Sequence, residues 1–185
     1  MEQKRKKVEA VVRRSLFFFA FAFASIASTA QENSTTSFSI AMSGMLSNYG
    51  YGVGLRFERK FNYLQSWNLR SHYLRNATLA STTTTWSLAP GYCNFYPIAT
   101  GVLRIGAFCE FGLLRTQPSF ASQKQHGFTA PFAEVSYAFP LCEKRFFAFS
   151  SFAFGRQFIL SSANDAIGKW NHQVSAGFYW NLGVR

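Results

Sequence analysis

Six charged residues stand out as groups able to act together: Arg56, Glu58, Arg70, Arg104, Glu110 and Glu134. Read by alternation, each falls on the small, polar side of its segment, opposite a face of aromatic and aliphatic residues. Guanidiniums and carboxylates sharing one enclosed face must pair, because an isolated buried charge is very costly. An interlocking Arg/Glu network is the expected arrangement. Counted from the nearest short turns, Arg56, Arg70, Arg104 and Glu134 fall at similar depth, with Glu58 lower and Glu110 higher. Such a layer could gate a narrow proton or ion path, or plug the interior and fix strand register. The plug is the expectation.

Other reactive groups give less. Nucleophilic catalysis needs a base within hydrogen-bond reach of a nucleophile. His126 falls in a polar loop, and His172 begins a segment on its apolar side. His72 lies on a polar face, with no serine clearly placed opposite it. No catalytic residue is expected. Cys93, Cys109 and Cys142 are odd in number and form no C-x-x-C, so neither a zinc site nor a redox motif is supported. Three small, mostly buried thiols are the expectation, with one disulfide among them left open. No metal or cofactor is expected.

The elements that position these residues are strands. Alternation with period two recurs after residue 30, bounded by turn residues, and no amphipathic helical segment stands out. Eight strands are expected: Ser37–Leu46, Tyr51–Phe61, Trp67–Asn76, Thr84–Phe95, Gly101–Arg115, Phe128–Phe139, Arg145–Ile159 and Asn171–Val184. Most run about ten residues or slightly more, the length that crosses a bilayer when tilted. Connections after strands two, four and six are short: Asn62–Ser66, Tyr96–Thr100 and Pro140–Lys144. Those after strands three, five and seven are longer and polar: Ala77–Thr83, Thr116–Gly127 and Leu160–Trp170. The first connection, Ser47–Gly50, is short and breaks the pattern. Short turns at one end and long loops at the other are the habit of membrane barrels.

Residue type indicates which face lies outside. In strand two, Tyr51, Val53, Leu55 and Phe57 oppose Gly52, Gly54, Arg56 and Glu58. In strand four, Trp86, Leu88, Pro90 and Tyr92 oppose Ser87, Ala89 and Gly91. The polar face is mostly small, which suits the narrow interior of an eight-stranded barrel. The aromatic and aliphatic face is therefore expected in lipid. Strand seven does not follow one parity: Phe147 and Phe149 oppose Phe152, Phe154 and Phe158. A bulge near Ser150-Ser151 is expected to reconcile them. Phe61, Tyr63, Trp67, Phe95, Tyr96, Phe139, Phe146 and Trp180 would form one aromatic girdle. Tyr49, Tyr51, Tyr73, Trp86, Phe158 and Trp170 would form the other.

The first thirty residues read differently. Lys4, Arg5, Lys6, Lys7, Arg13 and Arg14 precede an apolar run from Leu16 to Ala24 and a small-residue end at Ala30. This is the pattern of a cleavable secretory signal peptide, leaving one domain over residues 31–185. Without the six basic and two acidic residues of the leader, thirteen and six remain, a net charge of +7. Those charges are scattered, without the stripe that nucleic-acid binding needs. Charged residues make up 15% of the chain and aromatics 18%, where a soluble domain has about 25% charge to cover its surface.

Near the C-terminus stand Ser175, Gly177, Trp180 and Leu182, spaced polar-x-Gly-x-x-aromatic-x-hydrophobic. This resembles the last-strand signal that delivers outer-membrane barrels to their insertion machinery. The chain departs from it by ending Gly183-Val184-Arg185 rather than in an aromatic residue. The whole of residues 31–185 resembles the small eight-stranded outer-membrane proteins of the OmpA-barrel, OmpX and opacity-protein type. That resemblance implies an all-β, antiparallel, up-and-down transmembrane barrel in the outer membrane, with the long loops extracellular and the protein monomeric. It also implies a structural or surface-binding role, in adhesion or envelope integrity, carried by the loops. Arg75, Arg115, Lys124 and Lys169 lie near the long-loop rim and are expected to meet phosphates of outer-leaflet lipid or lipopolysaccharide, beside a surface ligand the sequence does not name. Two alternatives are weaker. The His-x-Ser-Asn run of lipid A deacylases is absent, and the Gly-x-Trp of lipocalins occurs only as Gly168-Lys169-Trp170, before the last strand.

Overall fold

The computed structural model describes residues 37–142, 145–160 and 168–182. The expected signal peptide and the final residues 183–185 lie outside the described residues. Within them are eight strands: β1 Ser37–Ser47, β2 Gly50–Lys60, β3 Gln65–Ala77, β4 Ser81–Ile98, β5 Gly101–Pro118, β6 Lys124–Cys142, β7 Phe146–Leu160 and β8 Lys169–Leu182. Each strand pairs antiparallel with its neighbour in sequence, and β8 returns to β1, so the sheet closes into a barrel. Closure removes the unpaired edges that an open sheet would present.

Period-two alternation runs through the strands, interrupted in β5 where Phe108, Cys109 and Glu110 are all buried. In β2, Tyr51, Val53, Leu55 and Phe57 are exposed, while Gly54, Arg56 and Glu58 are buried. In β8, Val174, Phe178 and Trp180 are exposed, while Ser175, Tyr179 and Asn181 are buried. The outside is apolar and the inside polar, the reverse of a soluble barrel. Met42, Leu46 and Val53 each expose more than 60% of their surface. Only lipid covers such a face without the cost of wetting it.

Strand seven is regular, contrary to the bulge expected at Ser150-Ser151. Ser150 pairs with Tyr137 and Ala176, and Ser151 with Ser136 and Ser175, without a break. Phe149 is buried and Phe147 half-buried because both point into the barrel, whereas Phe152 and Phe154 point out. The register irregularity lies instead in β6, between Pro140 and Cys142. Phe95 also departs from expectation. It shares the inward parity of Ala89, Gly91 and Cys93 and is buried, so it does not belong to an aromatic girdle.

The expected loops 77–83 and 116–127 are largely strand. Ser81–Thr85 lie within β4 and pair with Leu114–Pro118 of β5, leaving turns at 78–80 and 119–123. Threonine favours strands, but a run of threonines shows no apolar alternation to reveal them. The two tips are tied together: the Ser119 amide donates to the Ala80 carbonyl (3.0 Å) and its hydroxyl to the Leu79 carbonyl (3.2 Å). One wall, β4 to β6, therefore rises above the 11-residue strands β1 and β2. Gly50, at φ 134°, makes the tight β1–β2 turn, a conformation that side chains disfavour.

Gly177 serves closure. A Cβ added there would lie 2.7 Å from Ser43 Cα, against backbone that has no room to yield. Gly177→Val is expected to loosen the β8–β1 seam by about 1–3 kcal/mol. The check is a lower urea midpoint for the loss of the compact, fast-migrating gel form.

Candidate functional site

Two stacked charge clusters occupy the described interior, with a third polar group above them. In the middle, Glu134 on β6 accepts two guanidiniums. Arg56 Nη2 donates to Oε1 at 2.7 Å and Arg70 Nη2 to Oε2 at 2.6 Å. Arg56 and Arg70 face each other directly across β2 and β3, so the carboxylate separates two like charges that register has brought together. Arg70 Nε also donates to Asn68 Oδ1 at 2.8 Å. Toward the short-turn end, Glu58 accepts from Arg104 and, at 2.5 Å, from the Tyr179 hydroxyl. These are charge-assisted bonds, roughly twice as strong as neutral ones.

Glu110 has no arginine. Its Oε1 meets His72 Nδ1 at 3.2 Å and accepts the Ser87 hydroxyl, and its Oε2 accepts Gln173 Nε2 at 3.0 Å. Ser87 stands directly opposite His72 in the β3–β4 register, where no serine was expected. The neighbouring pair still forms no nucleophile and base, since the hydroxyl is bonded to the carboxylate rather than the imidazole. His172 is exposed on the outer face, and His126 lies within β6 rather than in a loop.

Inward aromatics fill the space between the clusters. Arg70 lies 4.1 Å from the Phe108 ring centre, and Phe108 stacks on Phe132 at 4.9 Å. Arg104 sits between Phe95 (5.1 Å) and Tyr179 (5.0 Å), and Arg56 lies 5.5 Å from Phe149. These rings receive guanidinium faces while the edges bond carboxylates. A cavity of about 20 Å³ remains between the Arg56–Glu134 cluster and His72, Ser151 and Gln173. That is space for one water.

All six charged residues singled out in the sequence are therefore inside and no more than 7% exposed. Five lie in the two Arg/Glu clusters, and Glu110 is held by neutral partners and His72. Sequence reasoning missed Phe95, Phe108, Phe132 and Phe149. The signal was available: Phe108 shares parity with Arg104 and Glu110, and Phe132 with Glu134. Assigning aromatics to lipid by type overrode it. Cys93 points inward on β4 and Cys109 lies on the opposite parity of β5, and both are free thiols. The side chain of Cys142 lies outside the described residues.

The rim cations divide. Arg75 and Arg115 point outward, and both lie opposite Thr84. Lys124 and Lys169, the first residues of β6 and β8, share the parity of the interior residues and stand exposed at the mouth. Arg156, not expected here, is exposed on the outer face of β7, within 6 Å of the Phe158 and Trp170 ring centres. In the terminal motif, Ser175 faces inward, Gly177 meets β1, and Trp180 and Leu182 face outward.

Removing the shared carboxylate should show what the central cluster does. Glu134→Gln leaves Arg56 and Arg70 buried together without a counter-charge. It is expected to cost about 3–5 kcal/mol in urea unfolding of the folded barrel. Replacing all three residues with apolar ones of similar volume should recover most of that loss.

No family model matches the sequence, and no curated protein matches it. Solved structures do share the architecture. The attachment invasion locus protein Ail of Yersinia pestis superposes with a TM-score of 0.53 at 11% identity, over 80% of this chain and 97% of Ail. Neisserial surface protein A gives 0.53 at 8% identity, over 80% and 97%. A major outer membrane protein of Thermus thermophilus gives 0.56 at 8% identity, over 80% and 100%. Ail has also been solved in complex with the heparin analogue sucrose octasulfate. At these identities the likeness speaks for the fold, and that fold is the closed eight-stranded antiparallel barrel of small outer-membrane proteins.

Proposed function

We propose that the protein spans the outer membrane as a filled barrel and works from its outer surfaces, as a structural or surface-binding protein of the envelope. One observation carries this reading. Among the described residues, the acids Glu58, Glu110 and Glu134 are all buried inside, while every exposed charged side chain is a cation. The interior thus consumes its own charge, and what remains outside is positive. Polyanions are the chemistry such a surface attracts.

The long-hairpin end is the extracellular one in this reading. There Lys124 and Lys169 stand over the mouth and Arg75 and Arg115 face the outer leaflet, available to lipid phosphates. Leu79 and Phe120 are fully exposed at the two tied tips, a rigid apolar presentation suited to a partner protein. Ser175, Gly177, Trp180 and Leu182 act during export, as the signal read by the insertion machinery. A channel is disfavoured by the filled interior, and catalysis because, among the described residues, Ser87 and His72 both bond Glu110 deep inside the closed barrel.

Three measurements check the proposal. The expressed protein should fractionate with outer membranes and migrate faster unboiled than boiled; a soluble periplasmic product overturns it. Planar bilayers containing the barrel should show no steady conductance, and large regular openings would contradict a filled interior. Lipid A mass spectra should be identical with and without expression, and any enzyme-dependent mass change defeats the non-enzymatic reading.

A further inference from the structure

The outer face of β2 to β5 carries an ordered column that the interior does not explain. Four cross-strand pairs of β3 and β4 lie one above another on the same face: Leu69 with Pro90, Ser71 with Leu88, Tyr73 with Trp86, and Arg75 with Thr84. Leu69, Ser71 and Leu88 of these pairs border a shallow groove of about 270 Å³ whose exposed surface is apolar. The outward residues Ile40, Leu55, Phe57, Leu69, Ser71 and Leu88 line it, together with Arg56 and Arg70 at the intervening inward positions. Ser71 is the cause of the dip. It stands between Leu55 and Leu88 in register, and its side chain is too small to fill the space between them.

Above the groove the character changes within two residues. Tyr73 and Trp86 contact at 4.6 Å between ring centres, the amphipathic pair expected at a membrane boundary. One step further, Arg75 and Arg115 flank Thr84 on either side. With strands about 4.8 Å apart, their backbones are roughly 10 Å from each other. Among the described residues neither guanidinium has a carboxylate partner. From Ser71 to Arg75 is about 13 Å along the strand. Apolar groove, aromatic step and cation pair thus follow in the order of a lipid's chain, glycerol or sugar boundary, and phosphate.

We propose that this wall binds one phosphorylated glycolipid of the outer leaflet, with a phosphomonoester on Arg75, Thr84 and Arg115 and an acyl chain in the groove over Ser71. The inference rests on the membrane-spanning reading above and adds the site and its ligand. The monoester is favoured over a phosphodiester lipid by charge: it carries close to two negative charges at neutral pH, matching two unpaired guanidiniums that offer forked donors. Among its described residues the opposite wall shows no second outward pair of guanidiniums. Arg156 is exposed there too, but its guanidinium lies among the Phe158 and Trp170 rings.

The experiment is native mass spectrometry of the full folded barrel released from micelles, with diphosphoryl lipid A, dephosphorylated lipid A or phosphatidylglycerol added. One diphosphoryl lipid A should stay bound, and the other two should bind at least ten-fold more weakly. The double variant Arg75→Gln/Arg115→Gln should lose at least ten-fold of that affinity. Ser71→Leu, which fills the groove and leaves every charge in place, should lose a comparable amount, with Ser71→Val as a second, milder filling. Arg156→Gln should bind like the parent. Each variant is first shown to keep the fast-migrating unboiled form. Equal loss in Arg156→Gln, full binding in both Ser71 variants, or equal retention of phosphatidylglycerol overturns the site. A parent that is a folded membrane barrel yet binds no lipid A overturns the site and leaves the membrane reading standing.

Discussion

The structure depends on Glu134 keeping Arg56 and Arg70 apart. The two guanidiniums face each other across β2 and β3, in a space too narrow to admit bulk water. Register alone would make that pairing repulsive. A carboxylate from the far side of the barrel, on β6, takes one guanidinium on each oxygen and turns the repulsion into a link between three strands. Replacing a buried ion cluster by well-packed apolar residues is often neutral or stabilising, so net stability alone does not account for this one. A slip of one residue in β2, β3 or β6 would send a charge into lipid and leave its partner unpaired inside. The cluster is thereby placed to penalise a slip in register.

The same economy decides what the protein has left to work with. Glu58 is matched by Arg104, Glu134 by Arg56 and Arg70, and Glu110 by His72, Ser87 and Gln173. Aromatic rings pack between the clusters, and the cavity beside the Arg56–Glu134 cluster has room for about one water. Among the described residues the interior is filled, which is why the proposed role falls to the outer surface. The exposed charge there, among the described residues, is cationic at both ends, with Arg59 lying 5.8 Å from the Phe38 ring at the short-turn end and the rim cations at the other. The tall wall of β4 to β6 and its tied tips then carry the features most exposed to partners.

Much of this was legible in the sequence because a strand's period of two is a strong signal wherever one face is apolar. The eight strands and the inward set of charges follow from alternation in segments such as Tyr51–Phe57 and Val174–Leu182. Four things did not follow. The polar strand ends of β4, β5 and β6 carry Thr, Gln and Arg on both faces, so no contrast marked them as strands. Phe147 and Phe149 looked misplaced because residue type was read as location; in a filled barrel large rings are also interior packing, and parity was the better guide. The meeting of His72, Ser87 and Glu110 depends on registers between β3, β4 and β5, which no single strand's pattern specifies. Among the rim cations, parity separates Arg75 and Arg115 from Lys124 and Lys169, a distinction that position near the loops had hidden.

The aromatic face meets lipid and the charged face is enclosed. All four tryptophans, Trp67, Trp86, Trp170 and Trp180, lie on the outward parity. Fluorescence of the barrel reconstituted in vesicles tests this directly, with quenchers placed either in the lipid chains as bromines or in the water as acrylamide. The account predicts strong quenching of tryptophan emission by the brominated lipids and weak quenching by acrylamide. Weak quenching by bromolipid, with acrylamide reaching the indoles freely, would contradict it.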